Sequence, residues 1–307
     1  MLQRFKLFSF RFYLINFLTI FLLTGCTHRI AEMISPNNLA LAELNPKIHF
    51  KQEVMIVRLT QMLDRARLTT KERAELLFER GIIYDNLGLW SLARYDFTQA
   101  IALNSRMAAA YNYLGLYLLL EEDYDGAIDA FNTVLDLEPS YDYTRLNRGL
   151  AFYYSGRYTE AERDLVSFYR ADKSDPYRAL WLYFNELELN PDAAITNLAI
   201  RSKLLSKGFW GTTLVDYLLG NLTLESLQLK MNARTEVNTV QYAEILTETY
   251  FYLAKQALKM NQTKEAHSLF RLTVANQVYN FVEYRFALFE LLQLRTNQTT
   301  PVIVGKN

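Results

Sequence analysis

The chain has 307 residues, of which half are hydrophobic, and it carries 33 basic and 33 acidic side chains. A chain of this length can bury a substantial apolar core. The balanced charge leaves no basic surplus to hold nucleic acid or anionic lipid electrostatically, so we expect neither as a partner. A single cysteine excludes an intrachain disulfide.

Residues 1–25 have the pattern of a secretory signal. Three basic residues precede an apolar run from Phe12 to Leu23, which is too short for a comfortable transmembrane helix. The run ends in Leu23-Thr24-Gly25-Cys26, which resembles the lipobox of bacterial lipoproteins. This resemblance implies cleavage before Cys26 and covalent attachment of diacylglycerol and an N-acyl chain to that residue. An ordinary signal peptide preceding a cysteine is the alternative, but a lone thiol at the cleavage point favours lipidation.

The lipid determines the expected location, because two or more acyl chains hold a protein stably on a membrane. The second residue of the mature chain is Thr27 rather than Asp. The sorting rule known for such lipoproteins then implies the outer membrane, with the protein facing the periplasm. Residues 26–50 contain Ser35-Pro36-Asn37-Asn38 and Asn45-Pro46, which predict a lipid-anchored tether rather than a helix. Fully extended, it would span up to ~70 Å.

An N-terminal helix is predicted in residues 51–73, where Thr69-x-x-Glu72 has the spacing of a capping box. A 34-residue repeat follows. Small residues recur at two phases of this repeat, namely Gly81, Gly115 and Gly149 at one and Ala93, Ala127 and Ala161 at the other. This pattern is typical of the tetratricopeptide (TPR) helical hairpin. We therefore predict three TPR units in residues 74–175, at 74–107, 108–141 and 142–175.

The glycines of the repeat need a physical reason, since glycine in a helix interior costs about 1 kcal/mol relative to alanine. We expect each glycine to lie where the first helix of its hairpin is closest to the second. A side chain there would push the two backbones apart. The recurrent alanines would provide the matching small side chains on the second helices.

The downstream chain is helical but less regular. Residues 176–246 are interpreted as degenerate helix pairs that bury Trp181 and Trp210, and a fourth TPR unit is predicted at 247–280. Residues 281–307 would form a C-terminal capping helix and a tail, because the last unit of a solenoid has no neighbour. The leucine-rich face of that helix could equally serve a homodimer. The expected fold class is all-α, a TPR solenoid with N- and C-terminal capping helices.

The sequence shows no catalytic motif. His28, His49 and His267 are scattered, and HExxH, GxSxG and GxxxxGK patterns are absent. We therefore expect a protein that is not an enzyme, with no catalytic residue, no metal site and no cofactor apart from the lipid on Cys26.

A surface for other proteins is the remaining hypothesis. TPR arrays line their inner, concave face with residues of the first helix of each unit, and in this sequence those positions are apolar and rich in tyrosine. The predicted partner-binding groove consists of Phe78, Ile82, Asp85, Asn112, Leu116, Leu119, Tyr143, Leu146, Leu150 and Tyr153. Aromatic grooves of low charge suit extended or helical apolar segments. The alternative is that the following repeat or the C-terminal helices bury several of these residues.

Longer stretches resemble the NlpI family of outer-membrane TPR lipoproteins. They include residues 76–89, Tyr111-Asn112-Tyr113-Leu114-Gly115 and residues 274–285, beside the lipobox and tether. The resemblance implies a homodimeric periplasmic adaptor. Such proteins dock a tail-specific protease and present a peptidoglycan endopeptidase and other cell-wall hydrolases to it, which regulates envelope growth and cell division. Two other classes stay open at this stage: an assembly lipoprotein for outer-membrane proteins or a pilus secretin, and a wall-cleaving enzyme.

Overall fold

The computed structural model describes residues 40–42, 49–65 and 67–299, which form fourteen helices and no strand. The all-α fold class is therefore confirmed. The signal segment, Cys26 and most of the predicted tether lie outside the described residues. In chain order the helices are α1 (Phe50–Arg65), α2 (Thr70–Asn86), α3 (Trp90–Leu103), α4 (Ala108–Leu120), α5 (Tyr124–Leu137), α6 (Asp142–Tyr154), α7 (Tyr158–Ala171), α8 (Pro176–Leu189), α9 (Pro191–Ser202), α10 (Trp210–Leu218), α11 (Leu224–Arg234), α12 (Val240–Lys259), α13 (Thr263–Ala275) and α14 (Val282–Thr299).

The repeat corresponds to the hairpins α2–α3, α4–α5 and α6–α7, whose paired helices pack against each other. The atoms nearest to a Cβ built at each glycine belong to the second helix of the same hairpin: 2.6 Å to Phe97 from Gly81, 2.7 Å to Phe131 from Gly115 and 3.0 Å to Leu165 from Gly149. Real Cβ atoms essentially never have contacts as short as the first two, and the third is tighter than most. Close helix approach therefore explains the three glycines, and the three alanines opposite are fully buried.

Three helix starts coincide with sequence signals. Thr69 and Glu72 form the predicted capping box, in which the Glu72 N–H donates to Thr69 Oγ1 at 3.2 Å and the Thr69 N–H donates to Glu72 Oε2 at 2.8 Å. Asp175 caps α8 and Asn190 caps α9, each just before a proline at the first helical position. These side chains satisfy backbone donors that the helix itself leaves unpaired.

The first helix of the fourth hairpin starts earlier than predicted. It begins at Val240, well before residue 247, because Thr239 caps it by accepting a hydrogen bond from the Tyr242 N–H at 3.1 Å. The additional turns have a packing role, since Tyr242, Ile245 and Leu246 are buried in the main core. Trp181 and Trp210 are buried as predicted.

Part of the predicted tether is attached to the folded domain. The Tyr250 hydroxyl donates to the Ala40 carbonyl at 2.7 Å, and the Ala42 N–H donates to Asn276 Oδ1 at 3.3 Å. Within the predicted tether, residues 40–42 are therefore hydrogen-bonded to the fold. Tyr250 and Asn276 are buried, so the hydroxyl and the amide oxygen need hydrogen-bond partners. The backbone of residues 40–42 supplies these partners.

Candidate functional site

The predicted groove is mostly filled. Of its ten residues, Tyr143 is exposed and Phe78 and Ile82 are half-buried, whereas the other seven are buried: Asp85, Asn112, Leu116, Leu119, Leu146, Leu150 and Tyr153. These seven side chains are therefore covered by other parts of the fold. Two kinds of neighbour cover these side chains, namely the next repeat and the C-terminal helices.

Asn112 illustrates coverage by the next repeat. Its Oδ1 accepts hydrogen bonds from Thr144 Oγ1 and from Asn147 Nδ2, both at 3.1 Å. All three side chains are buried, so this amide network fixes the second unit against the third. The side chain of Asn112 is occupied by a structural contact and is not available to a ligand.

Coverage by α14 centres on a buried ion pair. Arg285 Nη2 donates to Asp85 Oδ2, while the Tyr117 hydroxyl donates to Asp85 Oδ1 at 2.6 Å. Burial lowers the pKa of Arg285, but the charge and hydrogen bond of Asp85, together with Tyr117 and Tyr113, raise it, and the net pKa lies above its ordinary value. Burial, together with that carboxylate, raises the pKa of the Tyr117 hydroxyl. A buried charge is tolerated only when it is paired and hydrogen-bonded, and Asp85 meets both conditions.

A second buried pair joins α12 and α14 to the third repeat. Lys255 Nζ donates to Glu290 Oε1 at 2.6 Å and to the Tyr153 hydroxyl at 3.2 Å. The Tyr154 hydroxyl donates to the same Glu290 oxygen at 3.0 Å, and its ring stacks on Phe286 with centroids 5.0 Å apart. The inner face of the repeats is thus a tertiary interface with the last helix.

Two carboxylates lie in the same interior region. The Tyr177 hydroxyl donates to Glu248, and the Tyr252 hydroxyl donates to Glu283 Oε1 at 2.7 Å. Burial raises the pKa of both carboxyl groups, and repulsion from Glu283 raises that of Glu248 further. The carboxyl groups of Glu248 and Glu283 therefore retain their protons in the folded state to a higher pH than free glutamates do.

A cavity of about 420 Å³ remains open at the rim of this interface. It lies between the start of α3, the end of α4 and one face of α14. Its lining is mainly apolar with four charged residues, and it consists of Trp90, Ser91, Arg94, Tyr117, Leu120, Glu121, Arg285, Leu288, Phe289, Leu291, Leu292 and Arg295. No sequence motif indicates this cavity, because its residues come from segments far apart in the chain.

Two of the three histidines lie in the described residues. His49 Nδ1 lies 3.0 Å from Gln52 Oε1, and His267 is half-buried on α13. Within residues 40–42, 49–65 and 67–299, no group of three or more His, Cys, Asp or Glu side chains has the arrangement of a metal site. Over the same residues, no helix is both long and apolar enough to cross a bilayer.

Comparison with known proteins identifies the family. The chain is 60% identical over 287 residues to the lipoprotein NlpI homolog of Haemophilus influenzae, which covers 94% of this chain and 91% of that protein. It belongs to the NlpI lipoprotein family. Residues 63–142 also match the tetratricopeptide repeat model. The chain is thus a membrane-associated TPR lipoprotein of the scaffold type, built for protein–protein interaction.

Solved structures with similar folds are more distant. A tetratricopeptide repeat protein from Parabacteroides merdae is 16% identical, with a TM-score of 0.47, over 81% of this chain and 100% of that one. Yeast Tom70 is 15% identical, with a TM-score of 0.41, over 84% of this chain and 62% of that one.

Proposed function

We propose that this NlpI-family protein is a lipid-anchored adaptor of the outer membrane that faces the periplasm. It docks a tail-specific protease and presents a peptidoglycan endopeptidase and other cell-wall hydrolases to it, and so regulates envelope growth and cell division. The observation that carries the proposal is the 60% identity to an NlpI homolog along nearly the whole chain. In this proposal the protein does no bond-breaking chemistry itself.

The mechanism is effective concentration. A protease and its substrate held on one anchored scaffold meet in a local encounter, which replaces a bimolecular search. Because α14 fills the inner face of the repeats, we infer that the partners contact the rim and the outer surfaces and do not enter the predicted groove. A homodimer would double the number of docking sites on one scaffold.

The test is the half-life of the endopeptidase in a strain that lacks this gene. We expect a several-fold longer half-life, restored by the full-length chain. Residues 27–307 exported behind a cleavable non-lipoprotein signal form the matched control, and we expect only partial restoration without the anchor. An unchanged half-life in the deletion strain would contradict the proposal. Co-purification with a β-barrel protein or a secretin, in place of a soluble protease, would favour an assembly lipoprotein.

A further inference from the structure

Residues 40–42 form a short segment that lies along the folded domain. Ala40 and Ala42 pack against the main hydrophobic core, whereas Leu41 between them is 45% exposed. This alternation of covered and exposed side chains is typical of an extended chain with one side on a protein surface. Both side chains that face the core are those of alanine, so the backbone of the segment can come close to the domain.

Two buried side chains of the domain bind the backbone of this segment. The Tyr250 hydroxyl of α12 donates to the Ala40 carbonyl at 2.7 Å and accepts from the Ala40 N–H at 3.3 Å. Asn276, directly after α13, accepts from the Ala42 N–H at 3.3 Å, and its Nδ2 donates to the Leu272 carbonyl at 3.1 Å. Tyr250 and Asn276 are each 1% exposed. The docked state is therefore favoured, because release of the segment would remove these hydrogen bonds from buried polar groups.

The position of this contact determines how far a lipid on Cys26 can lie from the domain. Ala40 follows Cys26 by 14 residues, whereas α1 begins only at Phe50. At about 3.1 Å per residue, an extended chain from Cys26 to Ala40 spans about 45 Å, against the ~70 Å of a tether that continues to residue 50. The docked segment thus removes about a third of the reach.

We propose that residues 40–42, docked against Tyr250 and Asn276, are the point at which the lipid anchor is attached to the domain. The chain between residue 42 and α1 is then closed at both ends on the domain, and it adds nothing to the distance between domain and bilayer. The domain is held within about 45 Å of the membrane surface, so its partners meet it in that layer. This inference rests on the proposed lipid anchor and specifies how the adaptor is positioned.

The test compares two insertions in the mature lipoprotein bound to phosphatidylcholine liposomes. Twelve Gly/Ser residues after Asn37 lengthen the path from Cys26 to residues 40–42, whereas the same insertion after Asn45 lengthens only the chain between residue 42 and α1. Such an insert has a root-mean-square span of about 19 Å. Arg271→Cys, at an exposed position of α13, carries a donor fluorophore, because Cys26 is the only natural cysteine and its thiol is lipidated in this proposal. Acceptor-labelled lipids in the outer leaflet report the distance by energy transfer.

The two insertions should differ. We expect the one after Asn37 to lower the transfer efficiency by about a fifth or more, and the one after Asn45 to leave it unchanged. Equal effects of the two insertions would overturn the proposal.

A pair of charge variants tests the docked segment without altering the domain. Ala40→Glu places a carboxylate against the core and should release the segment, so that the insertion after Asn45 lowers the transfer as well. Leu41→Glu is the matched control, because it adds the same charge at the neighbouring exposed position and should keep the two insertions distinct. The same result from both variants would contradict the docking.

This inference and the proposed function fail in different ways. Equal effects of the two insertions on liposome-bound protein contradict the docked attachment point alone. Loss of all liposome binding contradicts the lipid anchor and this inference with it. An unchanged half-life of the endopeptidase in the deletion strain contradicts the adaptor function and leaves the transfer result as it is.

Discussion

Two kinds of ion pair stabilise this molecule, and they differ in sequence separation and in burial, since the arginines of the local pairs are partly exposed and both members of the distant pair are buried. In the first repeat Arg80 binds Asp96 through two hydrogen bonds of 2.7 and 2.8 Å, between residues 16 apart in the chain. At the inner face Arg285 binds Asp85, across 200 residues. The local pair closes one hairpin, whereas the distant pair attaches the last helix to the inside of the solenoid.

The local ion pair is present in some repeats and absent from another. The third unit has it, as Arg148 and Asp164 with two bonds of 2.7 Å, but the second unit has Leu114 and Ala130 at the same positions. The hairpin therefore forms with either solution, as expected when a buried ion pair and an apolar pair have similar net free energies. The distant pair has no such repetition, and its loss leaves a charge buried under α14.

The largest effect should come from the distant pair. Arg285→Met leaves Asp85 buried with one donor, the Tyr117 hydroxyl, and we expect the free energy of unfolding to fall by about 3–5 kcal/mol. The double variant Arg285→Met with Asp85→Asn removes the stranded charge, keeps an acceptor for the Tyr117 hydroxyl and should recover most of that loss. Urea unfolding followed by circular dichroism measures both. Equal stabilities for the single and double variants would show that the pair is not coupled.

Loss of the local ion pair should lower the free energy of unfolding less than loss of the distant pair. Arg148→Leu strands Asp164 and should lower the free energy of unfolding by about 1–3 kcal/mol. Arg148→Leu with Asp164→Ala copies the second unit, and we expect it to be close to wild type in the same urea experiment. A double variant as unstable as the single one would mean that the third hairpin depends on its ion pair.

Replacing a repeat glycine by alanine should destabilise the protein less than these changes. The loss of stability should be larger where the new methyl group has the shorter contact. Gly115→Ala places a methyl group 2.7 Å from the Phe131 ring, whereas Gly149→Ala places one 3.0 Å from Leu165. Overpacking costs about 1–3 kcal/mol, and about 1 kcal/mol returns from helix propensity. We expect a clear drop in melting temperature for the first variant and a smaller one for the second. The reverse order would contradict the packing explanation.

The smallest expected effect is on the pH dependence of the free energy of unfolding. Because burial raises the pKa of Glu248 and Glu283, the folded state binds more protons than the unfolded state above the ordinary glutamate value of about 4.3. The free energy of unfolding should therefore decrease as the pH rises from that value through the raised folded pKa. Glu248→Gln should flatten this decrease in unfolding curves measured at a series of pH values. Identical slopes for the variant and wild type would contradict it.

The contrast between local and distant pairs also explains what the sequence could predict. Contacts such as that between Gly115 and Phe131 repeat every 34 residues, so the periodic pattern by itself identifies the hairpins. The coverage of Asp85 by Arg285 occurs once and spans most of the chain, and no periodicity reports it. The available signal was the composition of the last helix, in which Arg285 and Glu290 interrupt an apolar sequence and require buried partners. For the inner face, the repeat pattern allows either an open groove or burial by neighbouring elements, and it does not decide between them.

Amide hydrogen exchange of the mature protein tests most directly whether α14 is a permanent part of the inner face. Residues 284–291 of α14 should exchange as slowly as residues 146–153 of α6, because both segments belong to one buried interface. Fast exchange in 284–291 beside slow exchange in 146–153 would contradict this account, and the inner face would then be open to partners, as the repeat pattern alone predicts.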